Sequence, residues 1–205
     1  MKQIIVLTLF LGVVTFSLHA QLPAEAKDIS PLLVGEELPF TGLKAPDGEL
    51  VNTKELFAEK PSVVLIYRGG WCPYCNVHLS EVQEIENEII KLGYQIIAVS
   101  PDSPGNLKVT TEKEKIQYKL FSDADGKFIK SAGIAFKAPQ NYSSLLDKKS
   151  DGLNDGFLPV PSVFVVDKSG TIEFEHINPD YKNRLSAKLL LSVVTSLHEI
   201  REHQN

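Results

Sequence analysis

The run RGGWCPYCN, residues 68–76, contains both cysteines of the chain, Cys72 and Cys75, two residues apart. Such a pair can be a structural disulfide, half of a metal site or a reversible redox couple. A disulfide here would close a loop of two intervening residues, and so small a loop restricts the unfolded chain very little. A structural zinc site wants four Cys or His ligands. Two cysteines are present, and the histidines at 19, 78, 176, 198 and 203 have no paired spacing. The expected metal is none, and no organic cofactor is required. A dithiol/disulfide couple remains.

The neighbours of the pair suit that chemistry. Pro73 fits the first position of a helix, where its missing N–H is no loss. Cys72 then occupies the N-cap. The unpaired N–H groups of the first turn and the helix dipole favour its thiolate. Cys75, three residues on, faces the same side and can act as the resolving thiol. Arg68 is expected to lower the thiol pKa further, Gly69 and Gly70 to let another chain come close, and Trp71 to offer a flat apolar contact beside the sulfur. His78, one turn beyond Cys75, is a candidate proton acceptor, although a solvent-exposed histidine on the helix face is the plainer reading.

Elements must hold these groups in place. SVVLIY (62–67) is short, apolar and rich in β-branched residues, as a strand buried on both faces should be. The pair follows directly. From Pro73 to about Lys91, Leu79, Val82, Ile85 and Ile89 recur at helical spacing, with Glu81, Glu84, Glu86 and Glu88 outward and Gly93 as terminator. YQIIAVSPD (94–102) and YKLFSD (118–123) are further strands, separated by a polar helix over 104–115. A short helix over 125–133 follows. Residues 137–158 look like a loop-rich insertion near the active face, with at most one helical turn at 142–146. Residues 159–167 and 170–177 form a hairpin turning at Asp167-Lys168-Ser169-Gly170. A long amphipathic helix ends the chain. Earlier, Pro46-Asp47-Gly48 turns between two short strands, and Asn52 or Thr53 caps a helix to about Glu59. Strands alternating with helices imply a parallel sheet with an antiparallel hairpin at one edge, and ligands at the carboxyl ends of strands.

Val160-Pro161 precedes an apolar strand. Read alone it marks a strand start. Beside a CxxC it is a candidate cis-proline facing the sulfurs, with Val160, Pro161 and Trp71 shaping a substrate groove.

The chain has 205 residues, 43% hydrophobic and 23% charged, with a formal net charge of −5. That fits one globular domain and excludes the basic footprint of a nucleic-acid binder. Residues 1–20 stand apart. Lys2 precedes an apolar run from Ile4 to Leu18, and Ala20 is a small residue at its end. This describes a secretory signal; the run is short for a bilayer span of roughly 20 residues. The expected organisation is a signal peptide, 1–20, and one domain, 21–205. The expected location is periplasmic or secreted, without stable membrane insertion after cleavage.

Together VVLIYRGGWCPYC, SDADGKFIKSAGI and VPSVFVVDKSGTIEFEHINPDY resemble the peroxiredoxin-like branch of the alkyl hydroperoxide reductase/thiol-specific antioxidant family. The likeness runs over about residues 31–200. It implies a thioredoxin-like α/β fold, a central mixed sheet flanked by helices, with a peroxiredoxin-like N-terminal extension. Peroxiredoxins resemble this chain in the cysteine at 75. They usually carry Thr or Ser where it has Cys72, and an arginine where it has Pro161. Both departures are thioredoxin choices. Cys-Pro-Tyr-Cys also looks like the glutaredoxin tetrapeptide. Unlike thioredoxins, the chain has Ile66 where they bury an aspartate.

The reading preferred on these grounds is a thiol–disulfide oxidoreductase in which Cys72 attacks and Cys75 resolves. The alternative is a thiol peroxidase in which Cys75 attacks peroxide and Cys72 resolves. A redox-silent binding domain is a third. The partners implied are protein or small-molecule thiols and disulfides, peroxides, and a redox donor protein.

Overall fold

A computed structural model describes residues 21–203. The proposed signal segment, 1–20, lies outside the described residues. The described residues form nine strands and seven α-helices: β1 (Gly42–Lys44), β2 (Leu50–Asn52), α1 (Thr53–Glu59), β3 (Ser62–Ile66), α2 (Pro73–Glu84), α3 (Glu86–Lys91), β4 (Gln95–Ser100), α4 (Pro104–Glu114), β5 (Lys119–Ser122), α5 (Lys127–Ser131), β6 (Ala135–Lys137), α6 (Ser143–Ser150), β7 (Phe157–Pro159), β8 (Ser162–Val166), β9 (Ile172–Ile177) and α7 (Ala187–Glu202). Seven strands make one sheet in the order β2-β1-β5-β4-β3-β8-β9. β3, β4 and β5 are parallel, and the β8–β9 hairpin is antiparallel to β3, as the strand–helix alternation requires. The β1–β2 hairpin extends the opposite edge.

β3 shows why an apolar run becomes the central strand. Val63 and Leu65 point into one core with Leu79, Val82, Ile89, Leu190 and Val194. Val64 and Ile66 point into the other with Leu56, Phe57, Phe128, Ile129 and Phe164. Side chains alternate across a strand, so both faces need apolar residues. Each such side chain, taken fully out of water, contributes about 1.5–3 kcal/mol. The N-terminal extension is tied along the hairpin edge by Gly35 N–H to the Ile172 carbonyl at 2.9 Å and Leu38 N–H to the Gly170 carbonyl at 2.9 Å.

Four sequence expectations change. The helix from Pro73 breaks at Ile85, whose ψ of 4° leaves the helical range, giving α2 and α3. Residues 137–158 are more ordered than a loop: they hold α6, two turns long, and run between β6 and β7. The strand expected over 159–167 is two strands in two sheets, β7 on β6 and β8 on β3. Val160 and Pro161 join them. All described peptide bonds are trans, so Val160–Pro161 is not the cis turn expected. Val160 N–H donates to the Ile134 carbonyl at 2.8 Å and the Pro161 carbonyl accepts from Asn178 N–H at 3.4 Å, which keeps the junction extended.

Candidate active site

Cys72 is the N-cap of α2, with extended backbone (φ −92°, ψ 114°) and Pro73 behind it at the first helical position. The Cys72 carbonyl accepts from Cys75 N–H at 3.0 Å and Asn76 N–H at 3.1 Å, closing the first turn. The approach from β3 is a tight turn, with Cys72 N–H on the Gly69 carbonyl at 3.1 Å. Both glycines are required there, for a different reason from the one expected. Gly69 has φ +137°, and a Cβ on it would stand 2.7 Å from Asp102 Oδ1 and collide with Trp71 Nε1. A Cβ on Gly70 would collide with the Thr110 hydroxyl. The room is taken by this chain's own side chains. Asp102, at the end of β4, accepts from Gly70 N–H at 2.7 Å and pins the turn. Burial pushes its carboxyl up to about 6, against the pull of that N–H and of Lys149.

The two thiols are reduced and buried, at 1% and 0% exposure for Cys72 and Cys75. They share a hydrogen bond. That bond, more than the helix terminus, sets their charge: the proton donated by Cys75 lowers Cys72 to about 6 despite burial, with Cys75 N–H, Arg68 and Arg184 adding to it. Burial pushes the Cys75 thiol up, the bond to Cys72 and that sulfur's charge push the same way, and Arg184 and Arg68 N–H oppose them. Near neutral pH the pair therefore holds one proton and one negative charge.

Arg184 is the residue that sequence reasoning missed. It lies between β9 and α7, and its Nη2 reaches Cys75 Sγ at 3.4 Å. A weak signal existed: the chain has three arginines, Arg68, Arg184 and Arg201, against eighteen lysines. Nothing in the spacing connects position 184 with position 75.

Arg68 is 5% exposed, and its guanidinium faces three rings: Tyr181 at 4.2 Å, Tyr142 at 5.0 Å and Trp71 at 5.1 Å. It acts on Cys72 as expected, by charge. His78 is buried, which overturns the exposed-histidine reading. Burial and Arg184 lower its pKa to about 4, against the Leu185 carbonyl that faces the ring. At neutral pH it is uncharged, so its tuning of the thiols is not that of a cation. Trp71 is half-buried and packs on Tyr142, centroids 5.6 Å apart. The register pairs Ile66 with Ser162, placing Pro161 level with Tyr67 at the same end of the sheet as the pair. Val160 and Pro161 are both buried, because β6 and the β8–β9 hairpin cover them. In the reduced protein they offer no open groove.

A seven-stranded mixed sheet with helices on both faces and a cysteine pair opening the helix after the central strand defines a thioredoxin-like redox fold. Within that class, the AhpC/TSA family pattern matches residues 34–175, and the chain belongs to that family. Peroxiredoxin Bcp of Escherichia coli K12 is 28% identical over 154 residues, 75% of this chain and 90% of its own. The chloroplastic peroxiredoxin Q of Gentiana triflora is 28% identical over 144 residues, 70% of this chain and 58% of its own. Among solved structures, reduced Prx3 of Vibrio vulnificus in complex with hydrogen peroxide superposes with a TM-score of 0.67 at 19% identity, covering 80% of this chain and 99% of that one. Enterococcus faecalis AhpC gives 0.68 at 20%, covering 84% and 96%. These likenesses share the fold. The chain is an oxidoreductase of the peroxiredoxin family.

Proposed function

We propose that the protein is a thiol-dependent peroxidase in which Cys75 attacks the peroxide and Cys72 resolves. The observation that carries this is the burial of both sulfurs, which suits a substrate little larger than water and opposes a folded protein's disulfide. The shared proton passes from Cys75 to Cys72. Arg184 and Arg68 N–H then face the Cys75 thiolate. That thiolate attacks the distal peroxide oxygen; the O–O bond breaks, Cys75 becomes a sulfenic acid and an alkoxide leaves. The Cys72 thiol protonates the alkoxide. Its thiolate displaces hydroxide from the sulfenic sulfur, giving the Cys72–Cys75 disulfide, and hydroxide takes a proton to become water. A dithiol donor of the thioredoxin kind returns two electrons, which requires the oxidised pair to expose a sulfur that the reduced protein buries. No metal or organic cofactor takes part. The signal-like pattern of residues 1–20 supports an activity outside the cytoplasm, periplasmic or secreted.

Thiol–disulfide exchange is the second reading, favoured by Cys72 as the thiolate of the resting pair. Single Cys→Ser variants separate the two. A peroxidase of this design consumes hydrogen peroxide in Cys72→Ser with an external thiol and not in Cys75→Ser. If Cys75→Ser instead traps a mixed disulfide through Cys72 and Cys72→Ser is inert to peroxide, the exchange reading stands.

A further inference from the structure

Arg184 Nε, His78 Nε2 and His176 Nε2 are buried and have no hydrogen-bond partner. The proposed cycle uses none of these three nitrogens. Arg184 gives its Nη2 to Cys75 Sγ at 3.4 Å and has no ion-pair partner among the described residues. Nε–H and Nη2–H share one edge of the planar guanidinium. The donor left empty therefore lies beside the sulfur. His78 stands one turn after Cys75, and positions three apart share a helix face. Both are buried on the inner side of α2, His78 at 5% exposure. Residues 184 and 185 span the two: the Arg184 guanidinium meets Cys75, and the Leu185 carbonyl faces the His78 ring.

His176 arrives from the sheet. It pairs with Val163, which pairs with Leu65. Residues directly opposite each other point to one side of a sheet. Leu65 and Val163 lie in the core that holds Cys75 together with Leu79 and Val82 of α2. His176 is thus on the face that α2 covers, and the charges of Arg184 and His176 both reach His78. Burial keeps the two imidazoles neutral at pH 7. Each then offers one N–H and one lone pair. The Leu185 carbonyl suits an N–H on His78 Nδ1, which leaves Nε2 as the lone pair. Buried polar atoms without partners are uncommon, and a group of three calls for a ligand. A hydroperoxide matches them. Its O–H donates, and its second oxygen accepts and gains negative charge as the O–O bond breaks.

We propose that Arg184 Nε, His176 and His78 form the peroxide subsite beside Cys75, His78 accepting from the O–H of the attacked oxygen and His176 and Arg184 donating to the oxygen that leaves. This rests on the peroxidase reading. The Cys75 thiolate attacks the hydroxyl oxygen, an S–O bond forms, and the O–O electron pair departs on the second oxygen. Sulfur is oxidised by two electrons and the peroxide is reduced by two. The O–H proton stays on the sulfenic acid. The alkoxide is held by the two N–H donors until the proton of the Cys72 thiol reaches it. Donors already in place before the charge develops need no rearrangement.

The test compares two peroxides of similar size. Ethyl hydroperoxide expels ethoxide, a strong base that needs donors, whereas peroxyacetic acid expels acetate, which hardly does. Stopped-flow rates of Cys75 oxidation at pH 7 give their ratio. His176→Phe keeps a ring without nitrogens and should slow ethyl hydroperoxide roughly tenfold more than peroxyacetic acid. His176→Gln returns an N–H and should recover most of the ratio. His78→Met should slow both peroxides alike, roughly tenfold, because both carry the same O–H. His78→Gln, whose carbonyl accepts, should fall between it and the parent. If His176→Phe lacks a cooperative urea transition, His176→Val is read in its place. Equal slowing of both peroxides by the His176 variant, or no slowing of either, overturns the subsite while the peroxidase reading stands. A parent that reacts with neither peroxide faster than free dithiothreitol removes the peroxidase reading, and the subsite with it.

Discussion

Arg184 Nη2 stands 3.4 Å from Cys75 Sγ, although the two residues are 109 positions apart. Resemblance to the family leads one to seek an arginine at the start of β8, and Pro161 occupies that place. The fold supplies a guanidinium to the same sulfur from the β9–α7 connection instead. A charge-assisted hydrogen bond of this kind is worth more than a neutral one. Arg184→Met should therefore slow peroxide consumption roughly tenfold to a hundredfold. In a Cys72→Ser background it should also move the half-point of Cys75 alkylation to higher pH, with Arg184→Lys intermediate. Stopped-flow peroxide decay and alkylation against pH measure both.

The Cys72 thiol is held at about 6 first by the bond from Cys75, with cations secondary. Cys75→Ala should thus raise the midpoint of Cys72 alkylation more than Arg68→Met does. Iodoacetamide rates between pH 5 and 9 report the two midpoints. The reverse order would assign the low value to charge instead of the shared proton.

His78 makes a pH-dependent contribution to stability whose sign follows from burial of its neutral form. Its folded pKa, about 4, lies below the ordinary 6.5. Between those values the unfolded chain binds a proton that the folded protein refuses, so stability rises with pH across that window and is lost as pH falls. His78→Gln removes this slope. The parent should lose on the order of 2–3 kcal/mol more than the variant between pH 7 and pH 4. Urea unfolding at the two pH values gives the comparison. Asp102, raised to about 6, acts in the opposite direction in both proteins and cancels from the difference.

Gly70 tests the turn that aims Cys72. A Cβ there meets the Thr110 hydroxyl, Cβ and Cγ2 together. Gly70→Ala should cost about 1–3 kcal/mol, the usual range for overpacking. Thr110→Ala in the same chain should recover part of it, because two of the three colliding atoms are gone. Thermal unfolding of the two single variants and the double variant reads the coupling.

Local regularities in the sequence determined most of the strands and helices and the place of the cysteine pair at the mouth of α2. An apolar β-branched run must be buried on both faces, and a Cys-Pro-x-Cys after it must open a helix. Those inferences involve neighbours along the chain, where spacing carries the information. Tertiary structure alone decided what meets Cys75, what packs on Arg68 and what pins the turn before the pair. Arg184 and Tyr181 come from the β9–α7 connection, Tyr142 from what reads as a solvated insertion, and Asp102 from the end of β4. None bears a periodic or spaced relation to Cys72, because contacts closed by folding depend on where whole elements dock. The same cause buried Val160, Pro161 and His78. Each is a residue whose exposure depends on how β6, the β8–β9 hairpin and the Leu185 backbone pack, which spacing along the chain does not reveal.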